Sequence, residues 1–193
     1  MRQILFFSNN KNKLFEIQKI FSKYNLKLLS LSDVSINDQP DENGKTFEEN
    51  AKIKSDYGFS RTGIPCFADD SGICIEALNW KPGIHSKRFI NNFKNEKNCF
   101  KHIVNRIENR GKKRAYFKTS ISLSMNKNYN VIFNGKIDGR ISSESKGDYG
   151  FGYDPIFIPN TFNKTFAELT MKEKNKLSHR SIAVTKLVNF LTN

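Results

Sequence analysis

Three short segments hold the residues of this chain that could do chemistry: Ser8-Asn9-Asn10-Lys11-Asn12-Lys13, Ala68-Asp69-Asp70-Ser71-Gly72 and Ser178-His179-Arg180. The first follows the apolar run Ile4-Leu5-Phe6-Phe7 and opens a segment with Leu14, Ile17, Phe21 and Tyr24 at helical spacing. A strand feeding a helix through a polar turn points backbone N–H groups and the positive end of the helix dipole outward, where phosphate binds readily. The second segment sets two carboxylates side by side, and acids beside a phosphate site suggest a hard divalent cation such as Mg²⁺. The third brings an imidazole and a guanidinium to the head of the last helix. An anion cradle, metal carboxylates and base-reading cations together point to an enzyme acting on a nucleotide.

Each segment has a plainer reading beside the chemical one. Ser8 to Lys13 could be only a polar helix start, and it is no Walker A loop, because the glycine spacing is missing. Gly44-Lys45-Thr46 imitates the end of such a loop, but Gln39 stands where the first glycine is required. Asp69 to Gly72 could be an acid-rich turn. Its apolar flanks, Cys66-Phe67-Ala68 and Ile73 with Ile75, instead place the acids at a strand edge, where bare charge is costly without a metal or cation. Neighbouring carboxylates also raise one another's pKa, so one could take a proton from water. Glu42 is a candidate third acid. Gly150-Phe151-Gly152-Tyr153-Asp154-Pro155 reads either as a strand-entry turn with core aromatics or as a base pocket, with a ring for stacking and an acid for the base edge. Ser178 could cap the last helix and leave His179 and Arg180 at the surface, or those two with Lys174 could donate to a purine carbonyl oxygen.

Several elements must position these groups. A short strand is expected at Leu26-Lys27-Leu28-Leu29 and a loop over 32–45. Thr46 with Glu49 forms a capping-box start for a helix running to about Phe59. Short strands are expected around the Asp pair between Pro65 and Glu76, and Pro82-Gly83 is a turn. A helix from Asn95 to Asn109 shows Phe100, Ile103, Val104 and Ile107 on one face. Ala115, Phe117, Thr119, Ile121, Leu123 and Met125 alternate as a strand, with a turn at Asn126-Lys127-Asn128 and a return through Tyr129, Val131 and Phe133. The chain ends in a helix from Ser178 with Ile182, Ala183, Leu187 and Leu191 inward. The fold class is α/β, with a mixed sheet.

At 193 residues, 37% hydrophobic and with 17 Phe, the chain can bury a core as one domain or a domain with a small lobe. No apolar run is long enough to span a bilayer, and the expected place is the cytoplasm. Cys66, Cys74 and Cys99 show neither CxxC nor metal spacing, and all three are expected reduced and buried. The net charge of +13 could mark a nucleic-acid surface. The lysines spread along the chain without interleaved aromatics, and a solvated basic surface is the better reading, with no specific nucleic-acid partner.

Taken in order, these blocks resemble the RdgB-type inosine triphosphate pyrophosphatase family. Ser8, Asn10 and Lys13 match its first block, and Glu42, Gly44, Thr46, Phe47, Asn50, Ala51 and Lys54 its second. Ala68 to Gly72 is intact, followed by Pro82-Gly83, Ser86 and Arg88, then Phe151 to Pro155, Ala167-Glu168-Leu169, Glu173-Lys174-Asn175 and Ser178 to Arg180. Lys81 and Lys87 stand where small residues are usual. Ser8 and Ile73 are milder departures.

The resemblance implies a single ITPase-like domain over 1–193, with a mixed central β-sheet flanked by helices, two lobes and an active site in the cleft between them, usually as a homodimer. It implies a Mg²⁺-dependent hydrolase that cuts between the α- and β-phosphates of ITP, dITP and XTP and so cleanses the nucleotide pool. Carried over by position, Asp70 is general base and metal ligand with Glu42, and Asp69 supports them. Ser8, Asn9, Asn10, Lys11, Asn12, Lys13, Lys54 and Ser71 hold phosphates. Phe151 stacks on the base, and Gly152, Tyr153, Asp154, Lys174, His179 and Arg180 complete its pocket. A Maf-like pyrophosphatase of modified or pyrimidine nucleotides and a basic nucleic-acid-binding module are the rival readings.

Overall fold

The computed structural model describes residues 2–126 and 129–193. Along the chain run β1 (Arg2–Phe6), α1 (Lys11–Phe21), β2 (Leu26–Leu29), α2 (Phe47–Thr62), β3 (Cys66–Ile75), β4 (Lys81–Pro82), α3 (Ser86–Asn91) and α4 (Glu96–Arg110). Then come β5 (Arg114–Asn126), β6 (Tyr129–Ile141), β7 (Phe157–Pro159), α5 (Met171–Lys174) and α6 (His179–Thr192). The sheet order is β2-β1-β3-β5-β6-β7, with β4 paired to β3 off that path. β1 runs parallel to β2 and β3, whereas β3–β4 and β6–β7 are antiparallel, so the sheet is mixed as expected. Lys127 and Asn128, on which the expected turn falls, lie outside the described residues.

Two compact units divide the chain. The first is Met1–Asp70, Thr119–Gly135 and Arg180–Asn193, and the second is Ser71–Lys118 and Lys136–His179. In the first unit strand alternation sorts the core into two layers. Ile4 and Phe6 of β1, Phe67 of β3 and Ile121 and Leu123 of β5 pack with Ile17, Ile20 and Phe21 of α1 and Ala183, Val184, Leu187 and Val188 of α6. Leu5, Phe7, Cys66 and Ala68, one residue out of phase, join Leu29, Leu31 and Ile36, with Tyr57 and Phe59 of α2 against them. The second unit has its own core, where Ile73 and Ile75 meet Cys99, Phe100, Ile103 and Ile107 of α4 and a cluster of Phe117, Phe157 and Phe166.

Three local expectations change. β3 is one ten-residue strand straight through the Asp pair rather than short strands around it. A 3-10 turn at Ser32–Val34 interrupts the loop over 32–45. The alternate face of β5 is buried too. Ser122 accepts from Ser55 Oγ at 2.8 Å, and Ser124 donates to Ser55 Oγ at 3.1 Å and to Asp56. Small hydroxyls there let α2 lie close while each polar group finds a partner. Helix starts follow the expected chemistry: Thr46 caps α2 by accepting from Glu49 N at 3.1 Å, though Glu49 Oε2 returns to Lys45 N. Asn95 caps α4 through Asn98 N. The three cysteines are free and buried, and burial pushes the Cys66 thiol up.

Gly58 marks the closest approach of α2 to the sheet, for a Cβ there would lie 2.4 Å from Cys66 Sγ and 2.6 Å from the Phe7 ring. Alanine is the better helix former by about 1 kcal/mol, but overpacking of a filled core costs about 1–3 kcal/mol, so the clash wins. Gly58→Ala is therefore expected to lower the thermal midpoint, with a net loss of up to about 2 kcal/mol. A raised midpoint would show that the helix can back away from β1 and β3 without cost.

Candidate functional site

The first unit gathers four carboxylates and three cations around β3. Asp69 and Asp70 are consecutive residues of a strand, so their side chains leave on opposite faces. Asp69 faces the α1 and α6 layer. Lys13 Nζ lies 3.0 Å from both its oxygens, and Arg180 Nε donates to Oδ2 at 3.3 Å. The guanidinium also donates through Nη1 to Glu16 of α1. Asp70 faces α2, where Asn50 Nδ2 donates to Oδ2 at 3.2 Å and Lys54 Nζ stands 3.9 Å from Oδ1. That same ammonium is 3.2 Å from Glu42 Oε2, and Asn50 Oδ1 holds Gly44 N, fixing the loop that carries Glu42.

The two aspartates differ in their proton affinity because their neighbours differ. Both are almost fully buried, 1% and 6% exposed. Burial pushes each carboxyl up. At Asp69 the charges of Lys13, Arg180 and Lys54 overcome that and hold it well below the usual carboxylate range. At Asp70 burial prevails over Lys54, Lys13 and the Asn50 hydrogen bond, with Glu42 adding to it, so its pKa is raised. The expectation that the neighbouring carboxylates raise one another is thus corrected: opposite faces separate them, and desolvation does the work. Lys13, with an ammonium desolvated beside Arg180 and Lys54, is lowered.

The start of α1 also differs from a bare anion cradle. Asn10 Oδ1 accepts from Asn12 N at 3.0 Å and Lys13 N at 3.2 Å, and Asn10 N donates to Ser8 Oγ. The side chain of Asn10 therefore takes two of the N–H groups that the sequence offered to phosphate, as a helix cap does. Asn9, Lys11 and Asn12 are exposed, and Ser8, Asn10 and Lys13 half-buried.

The second unit holds the other expected residues. Gly150 and Gly152 have positive φ, 78° and 62°, and a Cβ on Gly150 would meet Asp154 Oδ2 at 2.1 Å. Without one, Asp154 Oδ2 accepts from Phe151 N at 2.9 Å and from Lys174 Nζ at 2.5 Å. Lys174 is 2% exposed, and its ammonium sits 5.0 Å from the Phe151 ring centre and 5.5 Å from that of Phe166. His179 stacks on Phe117 at 4.6 Å with rings nearly parallel. Tyr153 lies in the core, its hydroxyl donating to Ser86 O at 2.8 Å, and burial pushes its phenol up. Ser86 Oγ in turn accepts from Ile73 N, so Tyr153 braces the strand beyond Ser71 and Gly72 rather than lining a pocket.

Two further residues complete the cluster around Asp69. Arg180 falls in the first unit, where it donates to Asp69 and to Glu16. Glu16 was not singled out from the sequence, yet it is 2% exposed. The signal was present: Glu16 stands on the α1 face that carries Lys13, Ile17 and Ile20, where a charge needs a buried partner. Among the described residues no three His, Cys, Asp or Glu side chains stand together as a ready metal site.

Removing one member of a buried ion pair strands the other, at about 3–5 kcal/mol. Glu16→Gln keeps the shape but leaves Lys13 and Arg180 facing Asp69 alone. It is expected to lower stability by about 3 kcal/mol in urea titration. A loss below about 1 kcal/mol would mean that Asp69 alone suffices to balance both cations.

Known proteins resemble this chain over nearly its whole length. The sequence model of the Ham1 family matches residues 4–190. A dITP/XTP pyrophosphatase of Christiangramia forsetii is 40% identical over 98% of this chain and 99% of its own length. One from Flavobacterium johnsoniae is 41% identical over 98% of each. The structure of a HAM1 protein from Coxiella burnetii superposes with a TM-score of 0.89 at 36% identity, covering 100% of this chain and 99% of that one. The Staphylococcus aureus Ham1 protein gives 0.86 at 34% identity, covering 99% and 98%. With its whole length matched in sequence and fold, this chain belongs to the Ham1 family.

Proposed function

We propose that this chain hydrolyses dITP, XTP and ITP to the monophosphate and pyrophosphate and so clears non-canonical purines from the nucleotide pool. It is a nucleoside triphosphate pyrophosphatase, as its relatives named dITP/XTP pyrophosphatase are. The observation that carries the reading is the Glu42–Lys54–Asp70 group, two carboxylates drawn to one ammonium beside the buried middle of β3.

That group suits Mg²⁺. In the cluster Glu16, Glu42, Asp69 and Asp70 face Lys13, Lys54 and Arg180, four negative charges against three positive. One or two hard carboxylates, completed by substrate phosphates and water, is the habit of Mg²⁺ at nucleotide sites. Glu42 and Asp70 would hold the ion, and bound there it would neutralise phosphate charge and acidify water.

The chain's own groups then divide the work. Asp70, its basicity raised by burial, takes the proton of the attacking water as oxygen joins the α-phosphorus and the α–β anhydride bond breaks. Lys13 and Lys54 oppose the charge left on pyrophosphate, with Ser8, Asn9, Asn10, Lys11, Asn12 and Ser71 lending polar contacts. Asp69 holds Lys13 in place, and Arg180, tied to Glu16, steadies Asp69. Phe151 offers a face to the purine, and Lys174, aimed by Asp154, donates to a 6-oxo group, with His179 beside it. Adenine presents an amino group there, a donor meeting a donor, which leaves both unpaired. No helix among the described residues is long and apolar enough to cross a membrane. A cytoplasmic homodimer belongs to the same reading and follows from the family resemblance.

Assay with Mg²⁺ on dITP, XTP, ITP and ATP, with products identified, tests the whole. IMP and pyrophosphate from ITP with ATP nearly untouched are expected, and equal slow turnover of all four overturns the selectivity. Asp70→Asn is expected to cut kcat at least about a hundredfold with melting near normal, and retained turnover removes Asp70 as the base. Lys174→Ala is expected to shrink the ITP/ATP ratio of kcat/KM at least about tenfold, and an unchanged ratio rules out its reading of the base.

A further inference from the structure

A second concave site lies wholly within the second unit, with no residue assigned above in its wall. Its volume is about 370 Å³, within the lower range of small-molecule pockets. Lys81, His85, His102, Arg106 and Arg110 line it, with Phe89 as an aromatic wall, and no lining residue is an acid. Two of the chain's three histidines are here.

The cations are placed rather than scattered. His102, Arg106 and Arg110 recur every fourth residue on one face of α4, and Arg106 and Arg110 set two like charges one turn apart. Arg110 Nη1 donates to Ala77 O at 3.0 Å and reaches Asn79 Oδ1 at 3.4 Å, which fixes its fork at the rim. His102 packs against Phe93 and Phe89, ring centres 5.3 and 6.3 Å away. In a chain whose cations are mostly lysine, two arginines one turn apart present the planar forks that suit phosphate. An anion relieves the Arg106–Arg110 repulsion, and Phe89 with the apolar Leu78 and Pro82 offers surface for a ring.

We propose that this pocket binds a small phosphorylated aromatic molecule of the nucleoside monophosphate class, its phosphate on Arg106, Arg110 and Lys81 and its ring against Phe89. The site is separate from the groups that would read a 6-oxo purine, so AMP is the probe. The three histidine ring signals of the full chain are followed by NMR during titration with AMP, adenosine and inorganic phosphate. AMP is expected to move His85 and His102 saturably and leave His179 in place, and to bind more tightly than either fragment. Arg106→Gln/Arg110→Gln, both exposed positions, is expected to weaken AMP at least about tenfold with melting unchanged. The proposal is overturned if AMP moves neither His85 nor His102, or if the double variant binds AMP equally. Phosphate binding as tightly as AMP overturns the ring contact, and shifts that follow protein concentration without AMP assign the face to a second copy instead.

Discussion

Two consecutive aspartates on a strand buried on both faces set the terms for the first unit. Period-two geometry sends their carboxylates to opposite sides, so each makes its direct contacts with a different set of groups, although the charges of Lys13 and Lys54 act on both. Charge buried without a partner is far too costly to keep, and each face must therefore supply its own. On one side α1 and α6 deliver Lys13 and Arg180, with Glu16 balancing the surplus. On the other, α2 delivers Lys54 and Asn50, and the loop before it delivers Glu42. The positions of three helices thus follow from the need to match two charges. The unequal supply also makes one aspartate a fixed anion and the other a group whose proton affinity is raised.

The same rule governs the second unit on a smaller scale. Lys174 and Asp154 are both buried and paired, and the pair is held by the Phe151 N–H and flanked by two phenyl rings. Because a buried pair is aimed from several sides, its ammonium keeps one direction, which is what selective recognition of a carbonyl requires. Gly150 is part of this, since any side chain there would displace the Asp154 oxygen.

Much of this was legible in the sequence, because it depends on period. α1, α2, α4 and α6 announce themselves by apolar spacing and caps, and β5 by alternation. The ordered blocks that carry Asp70, Lys13, Glu42 and Lys174 also identified the family before any coordinates. What failed to show was long-range compensation. Acids in the middle of an apolar run read as a break in the strand, since Lys13 and Arg180, which hold Asp69, lie 56 and 111 residues away in the sequence. The role of Ser122 and Ser124 is hidden for the same reason: their partners Ser55 and Asp56 come from α2. Glu16 was not singled out, because its partner Arg180 is 164 residues distant.

Charge acts on two scales here, with opposite sign. The chain as a whole carries +13, which raises the local concentration of a polyphosphate over distances up to a Debye length of about 8–10 Å. At β3, by contrast, the counted groups sum to one net negative charge, which would repel a triphosphate at contact. The two facts reconcile if the substrate arrives with its own divalent ion, because that ion reverses the local sign while the surface has already done the attracting. Lysines spread over solvated faces are then useful without forming a nucleic-acid stripe. Asp69, held firmly ionised, keeps Lys13 in position, while burial leaves Asp70 with the higher proton affinity of the two.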